Sequence, residues 1–238
     1  KRQDEQEVIS KTYTGWTGGV QFKYYPIENL AFFVEPRMSF VPYTFTEKTI
    51  SGKVNEYSFM DKLMNISVGV ELRRPTRPQW QQLAKLRGDF TPYYYTSYAV
   101  GMTMPQQLNR PTSRRPGFIT GAAVGRQFSP LSGFRLGLDF NNAATRLADA
   151  KVDRYTFTSL SLDYMFDISN WVIGYDPERK FGTEVFAGPV ITHRFEPGKT
   201  YLGGEGGVRP YWRLGEQFDV FAESKSVSYT HLTLPTIA

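Results

Sequence analysis

Lys23, Glu35, Arg37, Glu71, Arg73, Arg135, Asp139, Asp163, Glu205, Arg209, Arg213, Glu223 and Lys225 are the residues of this 238-residue chain whose types suit chemistry. All occupy the polar half of stretches in which polar and apolar residues alternate. Carboxylates such as Glu35 and Glu71 have the chemistry of a general acid and base. The rest of a catalytic set is missing. There is no Ser-centred elbow, phosphate-cradling loop or metal-spaced His/Asp cluster. Cysteine is absent, which removes disulfides, thiol nucleophiles and thiolate metal sites. A lone imidazole, His193, is neither a metal site nor a catalytic centre, and an interfacial or surface place is expected for it. The cluster GGEGG at Gly203 to Gly207 is not followed by a helix and reads as room for strand tilt or the close approach of a neighbour. No enzyme activity, cofactor or metal is expected. The charges suit one of two roles: pairing with one another inside a closed sheet, or lining a water-filled pore.

The elements that must position these charges are extended. In Asp61–Arg74 the even positions Met64, Ile66, Val68, Val70 and Leu72 are apolar, while Asn65, Ser67, Gly69, Glu71 and Arg73 are polar or small. Successive side chains leave opposite faces of a strand, so one face seeks hydrocarbon and the other carries charge. The pattern recurs at Thr12–Tyr25, Leu30–Thr46, Asp89–Met104, Arg154–Ile168 and Tyr201–Leu214, around Phe134–Asn141, and again from Phe218. Gly117–Phe128 and Phe181–Phe195 read as strands whose faces cannot be assigned. That makes about ten strands, several longer than the usual five or six residues of a soluble sheet. Tight turns are expected at 26–29, 129–132 and 214–217, all at one end of an up-and-down meander. Outer-membrane barrels put such turns on the periplasmic side, although the long connections 74–88 and 169–180 fall at the same end. A helical turn is expected at Gln79–Leu86, polar loops at Glu47–Tyr57 and Pro105–Pro116, and a bulge or sheet edge at Pro36 and Pro42.

A mean hydropathy of −0.40 and the lack of any long apolar run suggest a soluble protein if taken alone. They do not exclude a membrane barrel, whose polar lumen averages the hydropathy down. The net charge of +5 comes from scattered basic residues and is no nucleic-acid footprint. Aromatics make up 16% of the chain. Trp16, Tyr24, Tyr43, Tyr93, Tyr94, Trp171 and Trp212 fall near strand ends, where interfacial girdles belong. The chain opens on KRQDEQEV without an initiator Met or export-signal pattern, so a signal is expected to lie outside this piece. Ser226–Ala238, SVSYTHLTLPTIA, reads as translated adaptor, which sets aside His231 and implies that the last native strand is cut off. The expected organisation is a lead-in at 1–11, one barrel domain at 12–225 and a non-native tail at 226–238.

An ungapped internal echo aligns the stretch from Gly18 with that from Gly206: Gly18/Gly206, Gly19/Gly207, Val20/Val208, Glu28/Glu216, Phe33/Phe221 and Glu35/Glu223 are identical. Each copy is a hairpin whose inward Glu is followed two residues later by a base, Arg37 or Lys225. With the phrases NLAFFVEPRMSF, MNISVGVELR and GYDPERKFGTEVFAGP, the chain resembles the outer-membrane β-barrel proteins of the OmpA/porin-like superfamily of Gram-negative bacteria. The resemblance implies an all-β, antiparallel up-and-down transmembrane barrel in the bacterial outer membrane, with a structural, surface or passive-pore role. Its partners would be outer-membrane lipid and small hydrophilic solutes or ions, with no nucleic acid. The alternative is a soluble all-β barrel or sandwich binding an apolar ligand. The two invert the geometry, since a soluble barrel hides its apolar face inside and a membrane barrel turns it outward.

Overall fold

The computed structural model describes residues 13–48, 54–75, 89–106, 114–146, 152–195 and 198–231. Its strands are β1 (Tyr13–Ile27), β2 (Leu30–Lys48), β3 (Val54–Pro75), β4 (Tyr93–Gln106), β5 (Arg114–Gln127), β6 (Ser132–Arg146), β7 (Val152–Asp167), β8 (Phe181–Arg194), β9 (Lys199–Arg213) and β10 (Phe218–His231). A short helix, α1 (Ile168–Ile173), lies between β7 and β8. Every strand pairs antiparallel with its neighbours in sequence, and β10 pairs with β1 to close the barrel. Closure removes the free sheet edge through the body of the wall, where each strand has a partner on both sides.

Alternation sorts each strand into two faces. One row across the outside runs Phe22, Val34, Val68 and Val100 through β1 to β4, and another runs Val124, Leu136 and Leu162 through β5 to β7. These side chains are exposed except Val100, which is half-buried, while Lys23, Glu35, Glu71, Asp163 and Glu205 are buried. Apolar outside and ionic inside is the inverse of a soluble barrel, so the lipocalin-like alternative does not describe this wall.

β5 and β8, ambiguous by pattern, acquire faces. β5 turns Gly121, Ala123 and Gly125 inward, and β8 turns Phe186 and Val190 inward. On β8 the inner side carries charge near its two ends, Glu184 and Arg194, too far apart to mark the face from sequence alone. The reason is tertiary. Tyr95 lies over Gly125, Phe33 over Gly69, Tyr211 over Gly182 and Phe186 over Gly207, so a bulky ring on one strand fills the space left by a neighbour's glycine. The GGEGG stretch takes part through Gly207, which accommodates the close approach of Phe186.

Several expectations shift at the strand ends. β2 and β3 stay paired to Lys48↔Val54, so the loop expected at 47–57 shortens. β4 reaches Gln106 and β5 starts at Arg114, which narrows the loop expected at 105–116. Ladder hydrogen bonds do not need the apolar pattern, and they continue where it stops. Pro36 causes no bulge: it pairs in register with Ile66, and the β1–β2 ladder merely lacks pairs at its level. Pro42 pairs with Met60 beyond the last β1–β2 pair, on an edge without a second partner among the described pairings. β10 continues past Lys225 to His231 and pairs Tyr229 with Tyr13, with Val227 buried. Residues 226–231 of the expected tail therefore lie in the strand that closes the barrel. The Gln79–Leu86 turn lies outside the described residues.

Some glycines are required because backbone crowds them. A Cβ on Gly101 would collide with the Ile66 carbonyl oxygen and the Ser67 Cα of β3. Gly101→Ala is expected to cost about 1–3 kcal/mol through strand displacement. A lowered midpoint of urea unfolding of the refolded barrel in detergent is the measurement.

Candidate functional site

The candidate site is the barrel interior. Lys23 Nζ donates to Glu71 Oε2 at 2.6 Å, and Arg73 Nε donates to Glu71 Oε1 at 2.9 Å. Arg73 also donates to the Tyr25 hydroxyl at 2.7 Å, with its guanidinium over the rings of Tyr25 and Tyr93 at 4.8 and 5.5 Å. Glu35 accepts from Arg37 Nε at 3.0 Å and from Gln21 at 3.2 Å. Arg135 bonds its neighbour Asp163 on β7 at 2.9 Å and reaches across the lumen to Glu223 at 3.5 Å, and Lys225 bonds Glu205 on adjacent β9 at 3.2 Å. The period-two reading thus brings twelve of its thirteen charged residues to the inner face, and Asp139 borders the same central cavity. Arg213 shares this side of β9 but sits at the rim, over the Tyr211 ring at 5.6 Å. It is exposed at the end of β9, where it donates to the Pro177 carbonyl at 2.7 Å.

Three acidic residues missed by sequence reading complete the interior, Glu184, Asp167 and Asp219, the last opposite Lys23 in the β1–β10 register. Glu184 accepts from Arg209 at 2.6 Å. It sits in a strand without clear alternation, so its face was illegible. Asp167 accepts from Asn170 N at 2.7 Å and caps α1, and its other oxygen accepts from the buried Tyr211 hydroxyl at 3.2 Å. The signal for that cap was an Asp at the close of an alternating run followed by a break in period. The connector is then tied to the rim by Arg179, which donates to Asn170 Oδ1 at 2.9 Å and to the Gly174 carbonyl at 2.6 Å.

Carboxylates held this way are not poised as acid and base. Glu35 and Glu71 each face cations rather than each other. The space left in the centre is about 130 Å³. That is room for a few waters, and it fits the rule that barrels near eight strands fill with side chains whereas about sixteen leave a channel.

The outer surface has aromatic bands at both ends. At the turn end, rings meet as Tyr24–Phe218 (4.9 Å), Trp212–Phe181 (5.2 Å), Trp171–Phe166 (6.1 Å) and Tyr164–Phe134 (5.3 Å), with Arg126 over Tyr94 at 5.0 Å. At the opposite end lie Trp16–Phe40 (5.3 Å) and His193–Phe195 (5.0 Å). His193 faces outward here, with Nδ1 2.9 Å from the Thr200 hydroxyl. Trp16, Tyr24, Tyr94, Trp171 and Trp212 all point out, Trp171 from α1 rather than from a strand. Tyr93 does not: one residue from Tyr94, it faces the lumen beside Arg73. The side chain of Tyr43 lies outside the described residues. From Trp16 to Tyr24 is eight steps at about 3.3 Å, which at a tilt near 40° spans roughly 20 Å of height. With the rings added, that approaches the roughly 25 Å apolar band of an outer-membrane barrel.

No protein-family model matches the chain, and no curated protein does. Among solved structures it is similar to the translocator domain of the autotransporter NalP from Neisseria meningitidis. That match has 11% identity and a TM-score of 0.32, covering 92% of this chain and 87% of that one. It is also similar to the outer membrane channel DcaP of Acinetobacter baumannii, with 4% identity and a TM-score of 0.27, covering 93% of this chain and 96% of that one. Superpositions this loose carry no functional inference. The two faces of the wall have to carry it.

Proposed function

We propose that this chain is an outer-membrane β-barrel of a Gram-negative bacterium, acting as a non-enzymatic structural or surface element whose lumen is plugged by its own ion pairs. Outer-membrane lipid is its partner on the outside. The observation that carries the reading is the interior, where cations and carboxylates of neighbouring strands bond one another around a central cavity of about 130 Å³. Side chains of both signs filling the centre favour a plugged lumen over passive diffusion of hydrophilic solutes. The outward apolar rows between two aromatic bands support the membrane location.

Two experiments test this. Extraction that requires detergent, together with a gel mobility that changes on heating, checks the membrane barrel. In planar lipid bilayers the full chain is expected to show no large steady conductance. Stable channels of porin size would overturn the plugged lumen while leaving the membrane barrel standing.

A further inference from the structure

Positive charge on the outer wall gathers at one place of the turn end. Arg74 on β3, Tyr94 on β4 and Arg126 on β5 stand side by side in register, and all three are exposed. Alternation with the lumen-facing Arg73 and Tyr93 turns Arg74 and Tyr94 outward, and the Arg126 guanidinium leans over the Tyr94 ring at 5.0 Å. Elsewhere in this band the outward side chains are rings, among them Tyr24, Phe218, Trp212 and Phe134. The outward faces of β3, β4 and β5 carry no carboxylate among the described residues, and the acidic residues of the adjoining described connections are Glu28 and Asp89. At a strand spacing of about 4.8 Å the two arginine Cα atoms are roughly 10 Å apart, a gap that two such long side chains close from either side.

Further along the same strands the outer wall holds an apolar groove of about 570 Å³. Its floor is valine, with Val34, Val68 and Val100 paired across β2, β3 and β4. Nearer the arginines, Phe32 and Tyr98 stand on either side of Val70. The groove exists because short β-branched side chains lie between rings that reach further from the wall. Val70 and Val68 lie about 13 and 20 Å along β3 from Arg74 at roughly 3.3 Å per residue. A strand tilt near 40° makes that about 10 and 15 Å of depth, within one leaflet of a hydrocarbon core about 30 Å thick.

We propose that Arg74, Tyr94 and Arg126 bind the phosphate of an anionic phospholipid in the leaflet at the turn end, with one acyl chain in the groove between Phe32 and Tyr98. Guanidinium forks match phosphate oxygens in pairs. A zwitterionic headgroup presents the same phosphate with a cation attached, which the two arginines repel. The groove in turn favours a lipid over free phosphate. A second copy of the chain is a poorer occupant, because a two-fold contact here would set the same arginines against each other. The site rests on the membrane location proposed above and specifies which lipid is held there.

The full chain is refolded in micelles containing equal amounts of phosphatidylglycerol and phosphatidylcholine, and the lipids it retains are counted by native mass spectrometry. One phosphatidylglycerol is expected to stay bound in preference to phosphatidylcholine. Arg74→Gln and Arg126→Gln are each expected to weaken that preference about fivefold, the effect of one cation at a lipid surface. Val68→Trp, which fills the groove, is expected to release the lipid with both arginines in place. Heat-dependent gel mobility shows that each variant has folded, and should one fail, the lipid preference of the parent chain decides. Equal retention of the two lipids by the parent overturns the proposal. So does displacement of the lipid by inorganic phosphate, which marks a free-anion site, or recovery of paired barrels without lipid, which marks an interface between copies. A chain that extracts without detergent fails the membrane reading, whereas one that needs detergent yet retains both lipids equally fails only this site.

Discussion

Glu71→Ala is expected to destabilise the barrel by about 3–5 kcal/mol, because it removes one partner of a buried ion pair and leaves the other. Lys23 and Glu71 are 5% and 7% exposed at the side chain, and the same carboxylate also holds Arg73. Without Glu71, two cations face each other beside the Phe221 ring, 4.8 Å from the Lys23 ammonium. Arg73 has an escape, since it keeps the Tyr25 hydroxyl and is nearer the rim. Lys23 has none. The compensated pair Lys23→Met with Glu71→Met is expected to recover most of the loss, since a buried pair replaced by apolar side chains of similar size is often neutral or better. Equilibrium urea unfolding of the refolded barrel measures both variants. A loss below about 1 kcal/mol for Glu71→Ala, the range of exposed pairs, would mean that water already reaches this part of the lumen.

Leu136→Arg tests the opposite face and is expected to cost about 2–4 kcal/mol in a bilayer, the range for a cation at mid-depth on the lipid side of a barrel. Leu136 is 47% exposed and lies in the outer row between Val124 and Leu162. On a water-soluble protein, an equally exposed position away from special features tolerates most substitutions within about 0.5 kcal/mol. The two environments therefore predict different numbers for one variant. Phe134→Arg, two residues along the same face and inside the aromatic band, is expected to cost only about 0–1 kcal/mol, because depth sets the penalty. Stability measured in lipid vesicles reads the gradient. Equal small effects at both positions would sink the membrane assignment.

The lumen sites behind these predictions were legible in unequal degree. Glu71 and Arg73 could be placed on one face because β3 alternates without interruption. Pro36 suggested a disrupted strand, yet the ladder with β3 passes it in register, since only the amide on one side of β2 is missing. Tyr93 and Tyr94 looked equivalent near a strand end, and one residue of register sends the first to Arg73 and the second to the outer face.

By itself the sequence determined that the chain forms long antiparallel strands with one oily and one ionic face, because side-chain direction in a strand is a local property with a period of two. It also determined the meander order, because the turn residues lie between those runs. Only the tertiary structure decided how many strands close the wall, which glycine receives which ring, and which carboxylate meets which cation. Those outcomes depend on register between strands far apart in the chain. The meeting of Glu184 with Arg209 belongs to that second kind, since the faces of β8 are settled only once β9 is set beside it.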